Sequence, residues 1–323
     1  MVTLTEKINK NLQPSNMVID LANAFSSIAV ASESQNQFPF IWQQKQYTFQ
    51  VLPQGYKHSP SICHQMVAAD VALWSGTVTV YHYVDDLLIM AESQQEMAVA
   101  AESLQAHLQD RGWAINPKKI QGPSTTVQFL GIVWHGPIRE IPNKVQQTVQ
   151  QFPVPTTVKQ RQTFLGILGC WENFIPHLVV LMRPLQKLTR KKVGWQWTKQ
   201  QQETFDACKN ASIEHAQFYT PRRGYPFELE VIILDDTVSW GLWQMTGPKN
   251  QKEPVGFWSK ALQGSAVHHT LTEKQILAVV WALQETERIT GQGSGTVHTP
   301  LPPHEWVTDD SIRAHAGVAQ AAT

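Results

Sequence analysis

The sequence predicts an α+β protein of more than one module, and three observations predict it. At 323 residues, 42% hydrophobic and 16% charged, the chain is long and apolar enough to bury two or three cores. A run rich in β-formers, Thr77 to Tyr83, leads into Asp85-Asp86 and out through Leu87-Leu88-Ile89-Met90, the pattern of a hairpin with Val84, Asp85 and Asp86 at its tip. From Tyr225 the pattern changes to successive strands closed by one long helix, which sets off a separate α/β module from about residue 195.

Two adjacent carboxylates at a hairpin tip repel each other and are costly to bury unpaired. A solvated turn would tolerate them, since Asp is common in turns. A divalent metal is the other reason to present them, because Mg²⁺ takes carboxylate and phosphate oxygens. The hairpin alone leaves both readings open.

Composition narrows the class. The charged fraction and apolar content exclude a disordered chain. Net charge is zero, so nucleic-acid binding would need a local basic face. Lys187-Leu188-Thr189-Arg190-Lys191-Lys192 is a candidate for one, although such a run is more often just a solvated surface. Three widely spaced cysteines, Cys63, Cys170 and Cys208, point to a reducing compartment and to no zinc site. No apolar run is long enough to span a membrane, and the N-terminus lacks a signal-peptide core. The expectation is an intracellular protein, cytoplasmic or nuclear, not secreted and with no membrane partner.

Taken in order, residues 1–16 are polar and patternless. Met17 to Leu21 reads as a short buried strand, with Asp20 near its end as a helix cap or a metal ligand. Phe38, Phe40, Trp42, Tyr47, Phe49 and Val51 alternate as two strands with a turn near Gln43-Gln44-Lys45. Pro53 and Gly55 break regular structure, and Ser59-Pro60 reads as N-cap and N1 of a helix to about Leu73. Met97, Ala101, Leu104 and Leu108 share one face of a helix over 93–111, stopped by Gly112. Asn116-Pro117-Lys118-Lys119 is a turn. Val127 to Trp134 reads as one strand, whose internal Gly131 would let another backbone come close. Pro153 to Thr157 is a linker, followed by helices over 158–171, 175–190 and 199–213. Strands over 227–234, 239–245 and 255–259 and a helix over 272–286 complete the last module. The end, from Gly291, is rich in Gly, Thr, Pro and His and reads as partly disordered.

The ordered motifs resemble a known family. Val18-Ile19-Asp20-Leu21-Ala22-Asn23-Ala24-Phe25, Leu52-Pro53-Gln54-Gly55-Tyr56-Lys57-His58-Ser59-Pro60, Tyr83-Val84-Asp85-Asp86, Asn116-Pro117-Lys118-Lys119 and Phe129-Leu130-Gly131 follow one another as in retroviral reverse transcriptases, most like those of endogenous, gammaretrovirus-related elements. Phe164-Leu165-Gly166, Phe174-Ile175-Pro176 and Arg183-Pro184-Leu185 resemble the thumb of the same family. The similarity covers nearly all of residues 17–290.

That resemblance implies a remnant of fingers or leader over 1–16, a palm over 17–152, a helical thumb over 153–194, an RNase H-like connection domain over 195–290 and a tail over 291–323. It implies RNA-directed and DNA-directed DNA synthesis with two Mg²⁺ ions, Mn²⁺ being an alternative, held by Asp20, Asp85 and Asp86. Asn23 and Ala24 would place backbone amides near the triphosphate, and Phe25 would pack under the sugar and select deoxynucleotides. Gln54 and Gly55 would line the nucleotide pocket with Lys57 behind them. Lys119, or Lys118, would protonate the leaving pyrophosphate or simply be a solvated turn lysine. Phe129, Leu130 and Gly131 would form the primer grip. The implied partners are an RNA or DNA template with its primer, deoxynucleoside triphosphates, and an unidentified chain supplying fingers.

Departures from the family shape the expectation. The chain begins almost at the first catalytic strand, so a truncated fragment lacking most of the fingers is expected, with exposed apolar surface and poor solubility. Asn23 stands where many relatives have Asp, and Ser26 where many have an aromatic, leaving a packing gap. In the last module Ile232 follows Phe227-Glu228-Leu229-Glu230-Val231 where catalytic relatives carry Asp, and Gln275 opens Gln275-Ile276-Leu277-Ala278 where they carry Glu. Glu273 would face elsewhere on the helix, and Asp235 and Asp236 fall in a turn. A structural module without RNase H activity is therefore expected. The rival to a working polymerase is a catalytically inactive remnant that at most binds primer–template.

Overall fold

A computed structural model of the chain describes residues 15–136, 138–187, 197–214, 217–222, 224–234, 236–246, 251–291 and 295–299. They fall into two compact units that divide between residues 137 and 138. Residues 1–14, the basic run beyond Lys187, Asp235 and the tail from residue 300 lie outside the described residues.

The first unit is built on β1 (Ser15–Ala22), buried on both faces from Ser15 to Ile19. It starts earlier than its apolar run, because Ser15 and Asn16 already pair with Ala91 and Met90 across the sheet. The predicted aromatic hairpin is present as β2 (Pro39–Trp42) and β3 (Lys45–Thr48). Its turn, Gln43-Gln44, has positive φ at both residues (47° and 60°), as a primed two-residue turn requires. The predicted helix follows as α1 (Ser59–Ala72). Its N-cap is His58 rather than Ser59. Ser59 is buried within the first turn, and its hydroxyl donates back to the Pro53 carbonyl at 2.7 Å.

The Asp-Asp hairpin forms as β4 (Thr79–Tyr83) and β5 (Asp86–Ala91). α2 (Gln94–Asp110) is capped by the Ser93 hydroxyl, which accepts from the Glu96 amide, and buries the predicted face of Met97, Ala101, Leu104 and Leu108. β6 (Ala114–Ile115), β7 (Gln121–Ser124), β8 (Thr126–Phe129) and β9 (Ile132–His135) follow. The sheet order is β4-β5-β1-β6, with β7 also against β1 and every pair antiparallel. One face packs Met17, Ile19, Leu21, Leu87 and Ile89 against α1 and α2. The other packs Val18, Leu88 and Met90 against Val127, Phe129 and Trp134 of β8 and β9. Each such fully buried aliphatic or aromatic side chain contributes about 1.5–3 kcal/mol relative to exposure.

The single strand predicted over 127–134 is in fact this β8–β9 hairpin. Leu130 and Gly131 both take positive φ (51° and 78°) and form its turn. A Cβ on Gly131 would meet nothing within 4 Å, so the glycine serves the turn and not a close backbone approach.

In the second unit β10 (Ile138–Glu140) pairs antiparallel with β11 (Gln217–Tyr219). Among the described residues four helices precede the main sheet: α3 (Asn143–Gln150), α4 (Val158–Gly169), α5 (Leu178–Lys187) and α6 (Lys199–Glu214). α3 escapes the sequence because its one fully buried residue, Val149, is a weak periodic signal. β12 (Phe227–Leu234), β13 (Thr237–Thr246), β14 (Gln251–Ala261) and β15 (Gly295–His298) form a sheet of order β14-β13-β12-β15, with β15 parallel to β12. β15 lies in what the sequence reads as tail. α7 (Leu271–Thr290) begins with a Thr270–Glu273 capping box and packs Ala278 and Ala282 into the core with Leu229, Val231 and Trp240. No helix of the described residues is long and apolar enough to cross a membrane.

Candidate active site

The antiparallel register of β1 and β5 sets Asp20 directly opposite Asp86. Opposed residues share a face of the sheet, and like charges there repel. Strand alternation puts both on the face of Val18 and Leu88, which the β8–β9 hairpin covers. Asp85 lies in the two-residue turn between β4 and β5, and its carbonyl accepts the Leu21 amide at 2.9 Å. The turn is thereby tied to the strand that carries Asp20.

The preceding residue, Val84, has φ 58°. Asp85 is absent from the positive-φ residues, so the turn is of the kind that favours glycine at its first position. A β-branched residue there carries strain of roughly 1–3 kcal/mol.

The carboxylates sense one another. Burial, then Asp85, then Asp20 hold the Asp86 carboxyl above the ordinary range, and Lys119 opposes them. Lys119 comes from the short turn Pro117–Lys119, which Asn116 organises. The Asn116 amide donates to the Asp20 carbonyl at 3.2 Å, and its side-chain oxygen accepts from the Lys118 amide at 3.1 Å. The Lys119 ammonium donates to both Asp20 carboxylate oxygens at 3.0 Å. Asp20 holds the Lys119 ammonium's pKa above the usual lysine range, first by that hydrogen bond and then by charge. Lys118 is also exposed, and its ammonium makes no such contact with Asp20.

Among the described residues no three His, Cys, Asp or Glu side chains are gathered closely enough to hold a metal ion. The donor chemistry fits one nonetheless. Oxygen-only carboxylates, crowded enough to drive Asp86 towards its proton, suit a hard divalent cation. In this arrangement the Lys119 ammonium supplies the positive charge.

β1 runs directly into the other candidate residues. Asn23 is left-handed (φ 53°, ψ 38°), a conformation Asn tolerates, and it opens the 3₁₀ turn Ala24–Ser27. Ala24 is buried, Phe25 is half-buried against the core and Ser26 is exposed, so no packing gap arises at Ser26. Gln54, Gly55 and Lys57 are exposed on the loop before α1. An Ala29–Val51 bridge and a Leu52 amide to Ile28 carbonyl bond at 2.9 Å bring that loop beside the Ala24–Ser27 turn. Of the three hairpin residues, Phe129 is fully buried beneath the sheet, and Leu130 and Gly131 form the turn.

One contact escapes sequence reasoning. His64 of α1 places Nδ1 at 3.3 Å from the Val84 amide, and its ring stacks on His82 with centroids 4.3 Å apart. A lone histidine on a helix carries no signal of such a partner.

In the second unit the positions that differ from catalytic relatives lie as follows. Ile232 is half-buried on β12, Gln275 is buried on α7, and Glu273 is consumed by the capping box. Asp236 pairs with Lys274 at 3.3 Å.

Comparison with known proteins adds the following. Residues 4–134 match the family model for reverse transcriptase (RNA-dependent DNA polymerase), and residues 197–297 match that for the RNase H-like domain found in reverse transcriptase. The chain is 31% identical over 309 residues to the Gag-Pol polyprotein of Koala retrovirus, covering 90% of this chain and 18% of that protein. It is 32% identical over 313 residues to the Gag-Pol polyprotein of Avian reticuloendotheliosis virus, covering 91% and 27%. It is 29% identical to the Pol polyprotein of Feline endogenous virus ECE1, covering 90% and 29%. The chain thus spans less than a third of these curated relatives. Among solved structures, a foamy viral protease-reverse transcriptase in complex with RNA/DNA hybrid matches with TM-score 0.77 at 21% identity, covering 98% of this chain and 44% of that one. The same kind of protein in complex with dsDNA matches with TM-score 0.73 at 22% identity, covering 98% and 67%.

Proposed function

The chain belongs to the retroviral reverse transcriptase family, and from that premise we propose that it carries the polymerase centre of an endogenous retroviral element, adding deoxynucleotides to a primer 3′-hydroxyl on an RNA or DNA template. The observation that carries this reading is the register of Asp20 opposite Asp86, with Asp85 tied to the Asp20 strand through Leu21.

In this reading Asp20, Asp85 and Asp86 would hold two Mg²⁺ ions, which would supply charge neutralisation at the triphosphate and activation of the attacking hydroxyl. The chain's own groups do the rest. The amides of Asn23 and Ala24 orient the triphosphate, and Phe25 underlies the sugar and excludes a 2′-hydroxyl. Gln54 and Gly55 line the base side of the pocket, with Lys57 behind them. Lys119 would give its Nζ proton to the departing pyrophosphate oxygen. The β8–β9 turn at Leu130-Gly131 supports the primer strand. Helices α4 and α5 follow the duplex backbone, in keeping with the nucleic-acid complexes formed by the foamy viral relatives.

A second reading, a non-catalytic remnant that binds primer–template, draws support from the Lys119 ammonium seated on both Asp20 carboxylate oxygens. Primer extension on poly-rA·oligo-dT with Mg²⁺, run beside Asp85→Asn, separates the two. Extension that disappears in the variant supports the polymerase. No extension from folded protein leaves the binding reading.

A further inference from the structure

The turn that carries Asp85 is held from two sides. From the sheet, the Leu21 amide binds the Asp85 carbonyl at 2.9 Å. From α1, the His64 ring reaches the hairpin at successive residues. Its Nδ1 lies 3.3 Å from the Val84 amide, its plane stacks on His82 at 4.3 Å and 19°, and its centroid is 6.3 Å from that of Tyr83. The His64 carbonyl lies 3.3 Å from His82 Nε2. These partners fix the tautomers. An amide can only donate, so His64 Nδ1 is the bare acceptor and its proton sits on Nε2. A carbonyl can only accept, so His82 carries its proton on Nε2.

The contact falls on the strained residue of the turn. Val84 sits at φ 58°, where glycine is favoured, and without a partner its amide gains nothing from pointing towards α1. α1 is well placed to hold it, because Ser59 fastens the first turn of that helix to Pro53 and Cys63 and Val67 are fully buried in the core.

We propose that His64 is a positioning residue for the polymerase centre: by accepting the Val84 amide and stacking on His82, it holds the turn in its left-handed form and so fixes Asp85 relative to Asp20. This rests on the polymerase reading for its catalytic consequence and on geometry alone for the clasp.

The test uses the full chain as parent, His64→Leu, His64→Gln and the double variant His64→Leu/Val84→Gly. Gln offers a carbonyl oxygen as acceptor, and Gly removes the conformational penalty at position 84. Hydrogen exchange of the Val84 amide is read beside primer extension, with the amides of α2, in the same unit, as an internal control of folding. The expected result is faster exchange at Val84 by about tenfold or more in His64→Leu, with α2 unchanged. Extension should fall by about 100-fold in kcat, the scale of a small misplacement of reacting groups, with a much smaller change in KM. His64→Gln and the double variant should each recover most of the loss. Exchange at Val84 unchanged in His64→Leu overturns the clasp, as does failure of both His64→Gln and the double variant to recover. A parent chain that extends no primer overturns the polymerase reading instead, and the exchange measurement still decides the clasp. A His64→Leu chain that loses protection in α2 as well is set aside for His64→Gln, whose Val84 exchange must then stay at the parental rate.

Discussion

Lys119 Nζ sits 3.0 Å from both carboxylate oxygens of Asp20, a residue 99 positions earlier in the chain. The pair sets one positive charge against a site whose carboxylates repel one another. Lys119 is largely exposed, and exposed ion pairs add little to stability. Lys119→Gln should therefore leave the melting temperature unchanged while slowing single-turnover primer extension by about 10²-fold, the range of general-acid contributions. A variant as fast as the parent would remove Lys119 from the chemistry.

Gly241 is fixed by its neighbour across the sheet. A Cβ built there lies 2.8 Å from Cδ1 and Cε1 of Phe257, its cross-strand partner, whose ring is fully buried and also packs on Trp243. Gly241→Ala should destabilise the second unit by about 1–3 kcal/mol through overpacking, read as a lower urea midpoint. Gly241→Ala with Phe257→Leu should recover part of the loss.

His177 makes the second unit sensitive to mild acid. Its Nδ1 donates to the Ser239 hydroxyl at 3.0 Å, since that hydroxyl already donates to the Trp258 carbonyl at 3.1 Å. Burial pushes its pKa below 6.5, and Glu230 opposes the shift only in part. A depressed histidine means that the unfolded chain binds the proton more readily, so stability is full above about pH 6.5 and is lost as pH falls through the folded value. Urea unfolding between pH 7.5 and pH 5 should show this loss, and His177→Gln should flatten it.

The β2–β3 hairpin exposes one aromatic face. Phe40, Trp42 and Tyr47 stand on the same side and touch each other, with Phe49 against Phe40, at 38–60% exposure. Exposed rings on a two-stranded sheet favour association. Phe40→Thr with Trp42→Thr should lower light scattering at high concentration without changing the melting temperature of the second unit.

The cysteines should divide by reactivity. Burial pushes the thiol of Cys63 up to about 11, with help from Asp85, and that of Cys208 up to about 12, whereas Cys170 is exposed. At pH 8 the native chain should give one fast-reacting thiol with a disulfide reagent, and all three in urea. Fast reaction at Cys63 would contradict its burial beneath the hairpin.

The sequence by itself determined much of the strand and helix pattern. Period-2 and period-3.6 signals are local, so β1, the β4–β5 hairpin, α2 and α7 were legible, as were the ordered motifs that place Asp20, Asp85 and Asp86 in one family. Where a local signal was ambiguous it misled. The apolar run through Phe129-Leu130-Gly131 read as one strand because no polar turn residue interrupts it, and backbone φ made it a hairpin. Only the tertiary structure decided which lysine meets Asp20, that Asn23 and Val84 are left-handed, and that His64 accepts the Val84 amide. Those relationships join residues 20 to 99 positions apart through register and packing, and no local periodicity encodes them.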